Sequence, residues 1–130
     1  MSYPFIIDPV SKIILVYIQL DENHEFKMAL DTAASTTTFD INAMHFFGYP
    51  VGKILEKCLV ETAAGIMEVD VIQTNAISAF GHTVRNMKVQ IYDFLVQGII
   101  SDYDGLLGLD FFENTEFHID MKKQTIEVTV

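Results

Sequence analysis

Basic residues are scarce in this chain, with 8 Lys and Arg against 18 Asp and Glu and a formal charge of −10. Nucleic acid needs a basic footprint for its phosphates, so it is excluded as an expected partner, and an anionic membrane surface is disfavoured for the same reason. Tryptophan is absent and Cys58 is the sole cysteine. One thiol cannot close an internal disulfide, which leaves a reducing compartment open. No Pro- or Gly-rich linker and no repeat divides the sequence. No apolar run reaches membrane-spanning length, and the opening MSYPFIIDPVSK lacks the basic and long apolar regions of a signal peptide. The expectation is an acidic, soluble, cytoplasmic protein.

Several chemistries lack their signatures too. His24, His45, His82 and His118 are scattered without ligand spacing, so no metal and no cofactor is expected. There is no G-x-S-x-G and no phosphate-cradling Gly loop. Cys58 lies inside a strand pattern and reads as a buried, unreactive thiol.

What remains is a chain of 130 residues, half of them hydrophobic, which suits one domain spanning 1–130 with a single core. KIILVYIQL (12–20) is a dense run rich in β-branched residues, and EFKMALD (25–31) alternates after the polar turn DENH. Together they predict a hairpin whose second strand ends on Asp31. Asp40 is a good N-cap for one short helix, with Ile41, Met44, His45 and Phe47 at helical spacing and Gly48 and Pro50 as a stop. KCLVET (57–62) and IMEVDVIQT (66–74) flank AAG as a second hairpin. FGHTV (80–84) predicts a turn and VRNMKVQIYDF (84–94) a strand. DYDGLLGLDFFEN predicts a short strand, then a helix capped by Asp110, before a final hairpin around MKKQ. The fold class is therefore all-β with two short helices.

LDTAAS, Asp31 with small neighbours at a strand end, is informative in combination with two other segments. GLLGLDFF follows about seventy-five residues later, and VETAAGIMEV forms a hairpin between them. In this order the three resemble the retropepsin-like aspartic proteases, in particular the single-domain cellular and bacterial forms. The end of the chain, DGLLGLDFFENTEFHIDMKKQTIEV, is similar to the protease-like domain of the DNA-damage-inducible protein family. Viral members often place Asp and Arg where this chain has Ser35 and Leu109, so both halves of that ion pair are absent together.

The resemblance implies a closed β-barrel or sandwich that works as a homodimer on a peptide or protein substrate. Asp31 would be catalytic, supported by Thr32, Ala33, Ala34 and Ser35. Thr62, Ala63, Ala64, Gly65 and Ile66 would form the flap over the substrate cleft, and Leu106, Leu107 and Gly108 would pack beneath the catalytic loop. Metal-free hydrolysis needs one carboxylate to take a proton from water and another to protonate the carbonyl oxygen. The chain carries one such motif, so the second Asp31 is expected from a symmetry mate. The apolar terminal strands SYPFII and TIEVTV are expected to add to that interface.

Two departures matter. Ala33 stands where the family has Gly, keeping the N–H but adding a methyl, with a penalty if positive φ is required. Ala34 lacks the hydroxyl of pepsin-type motifs, which implies weakly acidic to neutral activity. Ile66, Met67 and Leu106 suggest an apolar cleft. Two further readings stay open: a non-catalytic homodimeric peptide-binding or scaffold module of the same fold, and a monomeric β-domain for a hydrophobic ligand in which Asp31 is an ordinary turn residue.

Overall fold

The apolar N-terminal stretch forms two short strands, β1 (Ser2–Pro4) and β2 (Ile6–Ile7). The computed structural model describes residues 1–52, 54–62, 65–100 and 102–130. Alternation then produces the expected hairpin, β3 (Ile14–Leu20) and β4 (His24–Leu30), paired from Leu15↔Ala29 to Leu20↔His24. A loop carries the chain from Asp31 to β5 (Thr38–Asp40) and the helix α1 (Ile41–Phe46). Asp40 caps α1 as its residue type predicts, accepting from the Asn42 N–H at 3.3 Å. With fewer than two turns, α1 buries only Ala43 and Met44; His45, expected on the apolar face, is exposed.

The second hairpin comprises β6 (Glu56–Thr62) and β7 (Gly65–Gln73), in register from Glu56↔Val71 to Thr62↔Gly65. β8 (Ala76–Ala79) and β9 (His82–Arg85) follow. Phe80 and Gly81, at φ 58° and 72°, supply the left-handed pair that a two-residue hairpin turn requires. The single strand expected over 84–94 is two. Asn86 adopts φ 56°, a conformation its short polar side chain tolerates, and the chain breaks there before β10 (Lys88–Tyr92).

β11 (Gly105–Leu107) precedes a 3-10 turn at Leu109–Phe112, and β12 (Glu116–Asp120) and β13 (Thr125–Thr129) close as the expected hairpin. Asp110 does not cap the turn. Gly108 is the N-cap residue, without a side-chain bond, and Asp110 lies in the first turn with its carboxylate engaged elsewhere.

Among the described residues, ten strands form one sheet in the order β6-β7-β10-β5-β11-β4-β3-β8-β9, with β2 pairing β3. That order is an open path, with β6 and β9 at its ends. A smaller sheet runs β1-β13-β12, so the two terminal strands pair with each other inside one chain (Ser2↔Glu127, Pro4↔Thr125). The protein is mostly β with few, short helices. No helix among the described residues is long and apolar enough to cross a membrane.

The core gathers side chains from both halves of the large sheet. Phe26, Met28, Phe39, Met44, Ile77, Val89, Leu107 and Phe111 have no exposed surface. Phe26 meets Phe39 edge-on, with ring centroids 5.3 Å apart and an interplanar angle of 75°, a favoured aromatic arrangement. Phe26→Ala is expected to lower unfolding free energy by about 3–5 kcal/mol, the range for truncating a buried Phe. Phe46→Ala, at a side chain 83% exposed, should stay within about 0.5 kcal/mol. Urea titrations of both variants check this, and equal effects would contradict the packing described.

Candidate active site

β11 is inserted between β4 and β5. It runs parallel to β4 (Gly105↔Met28, Leu107↔Leu30) and antiparallel to β5 (Gly105↔Phe39, Leu106↔Thr38). Parallel neighbours end on the same side, so the segment after β4 and the segment after β11 emerge together. The first is Asp31 and its loop; the second is Gly108 and the 3-10 turn.

Hydrogen bonds tie these segments together. The Asp31 N–H donates to the Leu107 carbonyl at 3.0 Å, and the Leu109 N–H donates to the Ala34 carbonyl at 2.8 Å. Within the loop, the Ala34 N–H donates to the Asp31 carbonyl at 3.1 Å, and the Ala33 N–H donates to Asp31 Oδ1 at 2.9 Å. The methyl of Ala33 therefore does not remove the amide donor. Ala33 is not at positive φ, so the anticipated backbone penalty is not incurred.

Space under the loop explains Gly108. Its φ of −94° suits any residue. A Cβ there would stand 2.8 Å from the Ala34 carbonyl oxygen and 2.9 Å from the Thr36 carbonyl carbon, closer than side chains tolerate against backbone. Gly105 is equally confined, because its Cβ would overlap the Thr38 carbonyl oxygen.

Thr37 and Asp110 complete the attachment. Thr37 is fully buried. Its N–H and Oγ1 donate to the two oxygens of Asp110 at 2.9 and 2.6 Å, and its Oγ1 accepts from the Gly108 N–H at 3.1 Å. Bonds to a charged acceptor are shorter and stronger than neutral ones, so this pair anchors the far end of the loop. Nearby, Asp104 accepts from the Lys27 N–H at 2.8 Å. Burial pushes the Asp104 carboxyl above the usual range, against the lowering effect of the Lys27 N–H and ammonium.

A cleft of about 320 Å³ lies beside the loop. Ala33, Ala34, Ser35 and Thr36 line it on one side; Val60 and Glu61 come from β6; Thr38, Gln90, Tyr92 and Leu106 come from the sheet. Asp31, half-buried, precedes this wall in the chain and does not line the cleft, while Thr32 is exposed. Thr32 Oγ1 makes no hydrogen bond within the chain among the described residues. The Tyr92 hydroxyl is pushed up, first by burial and then by Tyr103 and Asp40, and so stays protonated.

Of the residues singled out by sequence, Asp31, Thr32, Ala33, Ala34, Ser35, Leu106 and Gly108 come together. Leu107 is fully buried in the core beneath them. Of the flap candidates, Ala63 and Ala64 lie outside the described residues. Thr62 and Gly65 pair at the hairpin end, and Ile66, 74% exposed, does not line the cleft. The hairpin contributes Val60 and Glu61 instead. The lining is also more polar than expected, with three hydroxyl residues, an amide, a phenol and a carboxylate. Thr36, Thr38, Val60, Glu61, Gln90 and Tyr92 carry no local sign in the sequence of facing a cleft; the register Gln90↔Thr38 between distant strands brings two of them together. Cys58 is half-buried rather than buried, with Gln90 Nε2 3.5 Å from its sulfur.

A family model described as aspartyl protease matches residues 16–111. A crystal structure of a retropepsin-like aspartic protease from Rickettsia conorii superposes with a TM-score of 0.69 at 20% identity, covering 98% of this chain and 90% of that one. EIAV protease complexed with the inhibitor HBY-793 superposes with a TM-score of 0.62 at 15% identity, covering 84% of this chain and 93% of that one. Among curated proteins, none matches by sequence.

Two measurements check the attachments. Asp110→Ala leaves the buried Thr37 donors without acceptors and is expected to cost about 2–3 kcal/mol of stability, whereas Asp110→Asn, which keeps one acceptor, should cost about 1. Denaturant midpoints decide, and an unchanged midpoint for the alanine variant would contradict the anchor. For Asp104, a folded-state value above the unfolded one means that its ionised form disfavours folding. That handicap is present at neutral pH and is relieved as pH falls through the raised value. Asp104→Asn, which keeps an acceptor for Lys27, should therefore gain on wild type at pH 7 and lose that advantage in acid. Thermal melts across pH read the difference, and an advantage growing in acid would reverse the assignment.

Proposed function

Since the chain belongs to the aspartyl protease family, we propose that it hydrolyses peptide bonds with two Asp31 carboxylates, one from each chain of a homodimer. The observation that carries this reading is the single Asp31 loop, held at both ends by β11 and Asp110 and lying beside a cleft. One loop supplies one carboxylate, and the reaction needs two.

Across a two-fold axis, two carboxylates brought close cannot both ionise, and they share a proton as a coupled pair. The ionised member takes a proton from a water molecule as its oxygen attacks the scissile carbonyl carbon. The protonated member gives its proton to the carbonyl oxygen. As the tetrahedral intermediate collapses, one of its hydroxyls returns a proton to the now-ionised member and its oxygen re-forms the C=O bond. The C–N bond breaks, and the amine leaves with the proton that the other member took from water, which restores the singly protonated dyad. Exposed Thr32 and Ala33 suit such an approach, because only small side chains follow Asp31 where two loops would meet. In this reading the exposed Thr32 hydroxyl bonds across the axis and holds the two loops together. Ala34 and Ser35 continue the loop, and the β6–β7 hairpin covers the cleft as a flap. The free edges of the β1-β13-β12 sheet are available to extend the interface.

The alternative of a non-catalytic peptide-binding module rested on Ala33 disabling the loop. The retained 2.9 Å bond from its N–H to Asp31 and its ordinary φ favour the catalytic reading.

Asp31→Asn is expected to lower kcat at least about a thousandfold, with the thermal midpoint near that of wild type. Mixing wild-type chains with excess Asp31→Asn chains, after demonstrated subunit exchange, should suppress activity per wild-type chain, because each mixed dimer retains one carboxylate. Undiminished activity in that mixture, or an active monomer in sedimentation, removes the shared site.

A further inference from the structure

The cleft beside the Asp31 loop carries one charge. Of its described lining side chains, Glu61 alone bears a carboxylate and none is basic; the remainder are aliphatic, hydroxyl, amide or phenol. Glu61 lies on β6, the edge strand of the large sheet, opposite Ile66 in register. It is exposed, and among the described residues its carboxylate makes no ion pair or hydrogen bond. Its neighbours on the same strand differ: Lys57 pairs with Asp70 at 2.6 Å, and Glu56 approaches the Lys88 ammonium at 3.7 Å. The charge at the cleft thus lacks a counter-ion among the described residues.

Around it the cleft offers acceptors more than grease. Ser35, Thr36 and Thr38 present hydroxyls, Gln90 an amide, and Tyr92 a phenol that stays protonated. A long aliphatic side chain ending in a cation fits such a surface: its stem can lie along Val60 and Leu106 while its head reaches Glu61. The net charge of −10 acts in the same direction at longer range, drawing cationic peptides and repelling acidic ones.

We infer that Glu61 selects substrate, so that this cleft takes a Lys or Arg side chain of a peptide near the scissile bond. The inference rests on the reading of the Asp31 site as a peptidase; Glu61 itself is a specificity residue and takes no part in bond breaking. If two chains share one site, a peptide lying across it meets Glu61 on each side, and basic residues are then favoured both before and after the cleaved bond.

The test uses synthetic peptides with a fixed Phe–Leu centre and Lys, Gln or Glu placed in turn at each surrounding position. Both cleavage and equilibrium binding are measured, the latter also on Asp31→Asn protein. At one or more positions the order Lys, then Gln, then Glu is expected in kcat/KM, with about threefold to tenfold between successive peptides at low salt and less at high salt. Glu61→Gln should remove the difference between Lys and Gln peptides, and Glu61→Lys should invert the order. Cleavage with no charge preference, or a preference untouched in Glu61→Gln, overturns the inference and leaves the peptidase intact. Charge-ordered binding without any cleavage, lost in Glu61→Gln, supports the inference and defeats the peptidase. If no peptide of the set is bound or cleaved, both fail.

Discussion

The parallel pairing of β4 with β11 is the constraint on which the rest depends. With Leu107 beside Leu30, two segments that are remote in sequence leave the sheet side by side. Every later feature follows from that coincidence: the bond from Asp31 to Leu107, the packing of Gly108 under the loop, and the reach of Asp110 to Thr37. A slip of one residue would turn every side chain of β11 to the opposite face. Leu107 could not then stay in the core while Leu106 reached the cleft. The fully buried Leu107 on one face and the cleft on the other thus enforce a single register.

Polar and apolar groups divide the work along this junction. Below it, packing among Phe26, Phe39 and Leu107 fixes the strands. Above it, the loop has few side chains large enough to pack, so its shape comes from backbone hydrogen bonds and one buried hydroxyl. A loop made of small residues would ordinarily fluctuate, since little apolar area holds it. Here Asp110 substitutes for packing. Its carboxylate accepts both donors of Thr37 and leaves neither buried donor unsatisfied. The outcome is an exposed turn with a rigid base.

Local signals in the sequence were legible where a single residue type decides the structure. A dense β-branched run located β3 and period-two alternation β4, Asp40 marked the start of α1, and LDTAAS with GLLG pointed to the loop and the glycine beneath it. The misses share a different cause. Asn86 broke an alternating run because its left-handed conformation outweighed the hydrophobic pattern around it. Asp110 looked like a helix cap, but its partner is 73 positions away and invisible to local reasoning. The cleft depended on register between distant strands, so Gln90 and Tyr92 read only as alternating residues. The pairing of the terminal strands β1 and β13 within the chain joins residues more than 120 positions apart, which no local signal shows.

The separation between Thr37 and Asp110 has a consequence for synthesis. As the chain emerges from the ribosome, the Asp31 loop appears well before β11, and Thr37 appears 73 residues before Asp110. Until then the strands on either side of the gap, β4 and β5, have no central neighbour, and Thr37 has no acceptor. Closing so long a stretch is slow and brings no reward until β11 arrives. Order around Asp31 is therefore acquired only once β11 and Asp110 have emerged. A truncated product ending before Gly105 carries the aspartate with none of the structure that holds it.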